Sequence, residues 1–336
     1  MNLTEEQQKI IINKDTEKTY QEIFPQSMIS GSVRSQEELD TAFLKYPNLS
    51  RTYVRTALYW KDARKWYEDN WPRIYKYLDK DFIERFQMEG EHHARAWEFH
   101  IAAVFSEKGL QLKEKTWNYG PDFCINISDD RRIWVEAIAC DLGTADPVEP
   151  EPIGNYSLVL GIEETNRTRA LRITSAIKTK LDQFNEYLEN SKKSGVTNKD
   201  CLMIAVNGSA IQHLSDPNIL FKRAVFGQGL DEYIKVPGKE KLQGPFYKPT
   251  LTIARKKENK DDSIPAIFME MSELLKISAV LYCGHNASLN RYEAGDDFLF
   301  AYHVNPENPI PESVFKFDRS IRKDPQTGII TDQGQK

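Results

Sequence analysis

The chain is predicted to fold as an α/β protein whose mixed sheet is preceded by a helical N-terminal region. Three observations predict this. Two stretches, 122–127 and 132–139, alternate in hydrophobicity, are separated by a short polar turn and read as a β-hairpin. Apolar stripes at helical spacing stand before and after that hairpin. A continuous apolar run, Cys201–Asn207, then reads as a buried strand.

Taken in order, residues 1–88 read as helical and carry no repeat. Tyr53, Ala57, Trp60, Ala63 and Tyr67 approximate helical spacing, Trp71-Pro72 is expected to break the run, and Ile74, Tyr77, Leu78 and Phe82 resume it. The density of aromatic residues calls for a packing partner: the remaining core, a second copy of the chain, or stacked bases. In the next helix Trp97, Ile101, Val104 and Phe105 form the buried stripe, and Glu98 sits on its edge with Ala94 and Ala102. A carboxylate there points inward. The alternative is an intrahelical pair with Arg95, worth a few tenths of a kcal/mol. Gly109 ends this helix, and 110–117 reads as a first strand.

In the hairpin, Phe123, Ile125 and Ile127 share one face, as do Ile133, Val135, Ala137 and Ala139. An odd loop sets Ile125 against Ile133 and Phe123 against Val135, so the apolar faces coincide and Asp122 falls opposite Glu136. An even loop would set apolar against polar, because a one-residue slip flips every side chain. Two carboxylates thus come side by side, a destabilising pair on a sheet unless a cation lies between them. A divalent ion with oxygen ligands fits that place. Two solvated acids are the alternative, set against Cys124 and Trp134 on the same face.

After the hairpin, Thr174 or Ser175 can cap a helix whose buried stripe is Ile177, Leu181, Phe184 and Leu188. One residue round, Ala176, Lys180, Gln183 and Tyr187 form a second stripe, either a functional row or an ordinary amphipathic border. Strands are expected at 250–254, Ile277–Cys283 and 298–304, with surface loops at 237–245 and 256–263. From 318 the chain is polar and expected to be disordered.

The 336 residues carry a net charge of −5, against broad polyanion binding though not against a locally basic site. The four cysteines show no CxxC spacing, and neither a signal peptide nor a membrane-length apolar run is evident, so a reduced, cytoplasmic location without a membrane is expected. His92, His93 and His100 lack the i, i+4 spacing of a zinc helix, and phosphate-binding glycine loops are absent.

Glu98 on its helix, Pro121-Asp122, Glu136 and the pair Gln183 and Tyr187, in this order, resemble the PD-(D/E)xK nuclease superfamily, with the QxxxY helix of its RecB-like branch. The resemblance spans about residues 91–190. It implies a restriction-endonuclease-like αβββαβ core within 89–317; the residues themselves enlarge its mixed sheet at the C-terminal side and make 1–88 a helical region and 318–336 a polar tail. It assigns catalytic roles to Glu98, Asp122, Glu136, Gln183 and Tyr187. Ile138 stands where the family places its lysine; Lys180 is the first substitute, with Lys178, Lys113 and Lys115 behind it.

The activity implied is that of a Mg²⁺-dependent phosphodiesterase acting on DNA rather than RNA, such as a restriction or defence-type endonuclease. Asp122, Glu136 and the Ala137 carbonyl would bind Mg²⁺ or Mn²⁺, with Glu98 reaching the ion directly or through water. Arg131, Arg132, Arg167, Arg169, Arg172 and Arg255-Lys256-Lys257 are the candidate phosphate contacts. A homodimer is left open. The rival reading, prompted by Ile138, is a catalytically inactive module of the same fold that binds nucleic acid or protein.

Overall fold

The computed structural model of the protein describes residues 21–30, 33–140, 157–211, 217–227, 231–234, 243–247, 252–254, 263–265, 274–289, 295–315, 319–324 and 330–333. Its helices are α1 (Gln26–Ile29), α2 (Gln36–Lys45), α3 (Arg51–Leu58), α4 (Lys61–Ile74), α5 (Phe82–Gln87), α6 (His92–Glu107), α7 (Ser157–Glu189), α8 (Ser191–Ser194) and α9 (Pro217–Phe226). The strands are β1 (Phe123–Ser128), β2 (Arg131–Ala139), β3 (Cys201–Asn207), β4 (Asp231–Ile234), β5 (Gln243–Tyr247), β6 (Thr252–Ala254), β7 (Ser263–Pro265), β8 (Ile277–Cys283), β9 (Phe298–Tyr302), β10 (Ser320–Lys323) and β11 (Ile330–Gln333).

Seven strands form one sheet in the order β1-β2-β3-β8-β9-β10-β11, while β4-β5 and β6-β7 are separate two-stranded ribbons. The large sheet is mixed: β3 with β8 and β9 with β10 run parallel, whereas β1 with β2, β8 with β9 and β10 with β11 run antiparallel. The fold is therefore α/β. Of the expected strand at 250–254, the described part lies in a ribbon and not in the large sheet.

The chain divides into two compact units, one of Met1–Ala139, Tyr187–Asp200 and His285–Asp297, the other of Cys140–Glu186, Cys201–Gly284 and Phe298–Lys336. The helical region and the acid-bearing elements that follow it belong to one unit, so no boundary falls at 88. Aromatic packing joins them. Tyr67 of α4 meets Phe99 of α6 at 4.5 Å between ring centroids, Phe86 of α5 meets His92 at 4.4 Å, and Trp71 stacks on Phe99 at 6.3 Å. Trp71 is buried; Trp60 and Trp66 are half-buried, with Trp66 against Tyr67, Phe99 and His100. The helix continues through Pro72 to Ile74, because buried Tyr67, Trp71 and Ile74 anchor its last turns while the proline forfeits a single backbone bond.

In the first unit the hairpin has the register that its apolar pattern predicts: Phe123 pairs with Val135 and Ile125 with Ile133. A bulge between Asn126 and Ser128 makes this possible. It adds the odd residue to the turn and brings the two apolar faces together. The expected strand at 110–117 is reduced to a single bridge, Leu112 with Ile125, flanked by Lys113 N–H to Cys124 O at 2.8 Å and Asn126 N–H to Gln111 O at 3.1 Å. Beyond Lys113 the segment turns to other partners.

In the second unit β3 and β8 are buried along their whole length, which agrees with their unbroken apolar runs. Helix α7 begins well before Thr174, so that residue is interior and not a cap. Its hydroxyl donates to the Leu171 carbonyl at 3.0 Å, the local bond by which threonine is accommodated inside a helix. The stretch from 318, expected to be disordered, supplies β10 and β11. Ile321 is fully buried there, and the backbone groups of β10 find ladder partners on both sides.

Candidate active site

Asp122 lies just before β1, held by the turn that precedes it. Gly120 adopts φ +146°, and the Trp117 indole N–H donates to the Pro121 carbonyl at 2.7 Å. Beyond the last ladder pair, Phe123 with Val135, the Asp122 carboxylate accepts the Ala137 amide N–H at 2.7 Å. One acid is thereby clamped to the backbone beside the other, since Glu136 precedes Ala137 on β2. Glu136 is fully buried.

Glu98 arrives from α6, a helix buried over nearly all of His92–Phe105 because its apolar residues run round most of its circumference. Both readings of Glu98 hold together: the residue is buried, and its carboxylate accepts from Arg95 Nη1 at 2.7 Å. Arg95 also reaches Asp79 at 3.6 Å and Glu91 at 3.7 Å. Burial pushes the Glu98 carboxyl up to about 8, and the negative charge of Asp122 adds to the shift, against the opposing pull of Arg95 and Lys115.

A lysine stands at this cluster. Lys115 follows the Leu112 to Ile125 bridge by three residues, after the chain has left the edge of β1 and its amide has turned to the Lys76 carbonyl. Its ammonium lies 4.0 Å from Asp122 Oδ1 and 2.8 Å from Asp79 Oδ1, with the side chain 8% exposed. Burial opposes its charge, but Asp122, Asp79 and Glu98 outweigh that and hold its pKa above the ordinary lysine value. Sequence reasoning ranked Lys115 behind Lys180 and missed Asp79. No local pattern marks Lys115, because its place is set by where the chain goes after it leaves β1 beyond Lys113.

Among the described residues, Glu98, Asp122 and Glu136 do not gather three carboxylate oxygens within 4.8 Å of one another. A cage of three carboxylates is thus not built. One or two carboxylates with water and phosphate oxygens suffice for Mg²⁺, and the hard oxygen donors of Asp122, Glu136 and the Ala137 carbonyl suit that ion.

The remaining site candidates divide between the units. Lys180 and Gln183 belong to the second, where the Lys180 ammonium donates to Gln183 Oε1 at 3.2 Å. Tyr187 belongs to the first, buried, with its ring edge-on to Tyr119 at 5.1 Å. Lys178 is spent on exposed Asp182. Arg132 is committed to Asp200 at 3.0 Å, a buried acid that also accepts from the Trp134 indole. Arg131, Arg169 and Arg172 are half-buried; the Arg167 side chain and 255–257 lie outside the described residues. All four cysteines are free thiols. No helix among the described residues is long and apolar enough to cross a membrane. Compared with known proteins, the chain matches no protein-family model, no curated protein and no solved structure.

Proposed function

We propose that the protein is a metal-dependent nuclease of the PD-(D/E)xK kind that hydrolyses phosphodiester bonds in DNA, a restriction or defence-type endonuclease acting in the cytoplasm. The observation that carries this reading is the Lys115 ammonium 4.0 Å from Asp122, on a hairpin whose register sets that acid beside Glu136. The resemblance to the family lacks a lysine at position 138, and Lys115 answers that lack from the neighbouring extended segment.

In this reading Asp122, Glu136 and the Ala137 carbonyl hold Mg²⁺ or Mn²⁺. The ion, when bound, supplies Lewis acidity at the scissile phosphate and a water that ionises near neutral pH. Asp122 is oriented for its part by the Ala137 amide, which fixes one carboxylate oxygen and leaves the other directed toward Lys115. Lys115 places positive charge where negative charge grows on the phosphoryl oxygens. Glu98, buried and paired with Arg95, has its pKa raised by burial to about 8, so that its carboxyl can exchange a proton with water only slightly above neutral pH. The QxxxY resemblance assigns further catalytic roles to Gln183 and Tyr187.

A second reading has one observation in its favour. Ile138 is half-buried on β2, and a chain that binds nucleic acid or protein without cleaving it needs no lysine there. Incubation with supercoiled and linear DNA in Mg²⁺, Mn²⁺ or EDTA separates the two, with an Asp122→Ala, Glu136→Ala double variant alongside. Metal-dependent cleavage that the double variant loses supports the nuclease. No cleavage, together with no metal-induced rise in Tm, supports the binding module.

A further inference from the structure

The path of the chain between α6 and β1 raises a question that the nuclease motif leaves open: what sets the position of Lys115. Residues 111–113 follow the edge of β1, but the Lys115 amide donates to the Lys76 carbonyl at 3.0 Å, in the single helical turn Tyr75–Tyr77 of the N-terminal region. A second tie joins the same segments, Lys76 Nζ to Glu114 Oε1 at 3.1 Å. Three residues after Lys76 comes Asp79, whose Oδ1 meets the Lys115 ammonium at 2.8 Å and whose Oδ2 lies 3.6 Å from Arg95 Nη1. One carboxylate from the helical region therefore faces both cations of the acid cluster.

The geometry is selective. Lys115 touches Asp79 at hydrogen-bond distance and stands off Asp122 by 4.0 Å. A lysine bonded directly to Asp122 would neutralise a carboxylate needed for the ion, whereas one held by Asp79 keeps donors for an incoming phosphate oxygen, since an ammonium carries three. A flexible four-carbon stem does not keep such a position unaided. The groups that face this ammonium are Asp79 from the turn before α5, Asp122 from the start of β1 and Glu98 from α6.

We propose that Asp79 is a positioning residue for Lys115, so that the helical region at 1–88 completes the catalytic site. This rests on the nuclease reading. Asp79 itself touches neither phosphate nor ion; it acts through the lysine.

The test is a double-mutant cycle on the full-length chain, measured as Mg²⁺-dependent cleavage of a DNA substrate under steady-state conditions. Lys115→Ala is expected to lower kcat by about 100-fold or more, with KM changed by less than about 3-fold. Asp79→Asn, close to isosteric, is expected to lower kcat by about 10-fold with KM unchanged, and to have no further effect in the Lys115→Ala background. A purely structural Asp79 would instead lower kcat by the same factor in both backgrounds, which overturns the proposal. So does an Asp79→Asn variant with the kcat of the wild type. If Asp79→Asn does not melt cooperatively, Asp79→Glu takes its place in the same cycle, with the same expectation and the same overturning result. Absence of cleavage by the wild-type chain removes the nuclease reading and this inference together. Wild-type cleavage with an additive cycle removes this inference alone.

Discussion

Asp122 accepts the amide N–H of Ala137 at 2.7 Å, so the side chain of one acid is tied to the backbone next to the other. The first prediction follows from this bond. Asp122→Asn can retain it through the amide oxygen, so the Tm is expected to stay within about 2 °C of the wild type. Metal-dependent cleavage is expected to fall by at least about 100-fold, because a neutral amide is a far poorer ligand for Mg²⁺ than a carboxylate. Parallel melting curves and a plasmid-cleavage time course check both halves.

Glu98 carries a stability cost at alkaline pH. Its folded pKa, pushed up by burial to about 8, exceeds the ordinary carboxylate value of 4.5. Between those values the folded state binds the proton more tightly than the unfolded state, so this residue's contribution falls as pH rises through the window. Glu98→Gln, neutral throughout, is expected to leave the Tm unchanged near pH 4.5 and to raise it at pH 8.5. Cleavage is expected to be lost at both pH values.

His92 gives the opposite dependence. Its Nδ1–H donates to the Phe86 carbonyl at 2.7 Å, its Nε2 has no hydrogen-bond partner among the described residues, and burial lowers its pKa to about 4. The unfolded chain takes up a proton near pH 6.5 that the folded chain refuses until about pH 4, so stability is lost as pH falls through that interval. The loss is expected to reach about 3 kcal/mol, and a neutral His92→Gln variant should show a flatter denaturation-midpoint profile between pH 6.5 and 4.

Gly120 is the hinge of the turn that presents Asp122. A Cβ at this position would meet the Trp117 ring at 3.1 Å and the Ser194 carbonyl oxygen at 3.3 Å, and φ is +146°. Gly120→Ala is expected to cost about 1–3 kcal/mol of stability and to displace Asp122 enough to reduce cleavage at temperatures well below the Tm. Chemical denaturation measures the first effect, and cleavage assays on the folded variant measure the second.

The sequence by itself determined that Asp122 and Glu136 come to the same end of a hairpin, that Glu98 turns inward, and that Cys201–Asn207 and Ile277–Cys283 are buried strands. Each of these follows from local periodicity: a side-chain period of two leaves a half-buried hairpin one register, and the apolar stripe of α6 leaves Glu98 one side. Only the tertiary structure decided that Lys115 stands beside Asp122, that Asp79 and Arg95 join it, that α7 begins at Ser157, and that the residues beyond 318 add strands to the sheet. Those outcomes depend on where the chain travels between elements. An ion pair such as Asp79 with Lys115 leaves no pattern in the residues around either partner, because what brings the two charges together is the departure of 114–117 from the edge of β1 toward the Lys76 carbonyl.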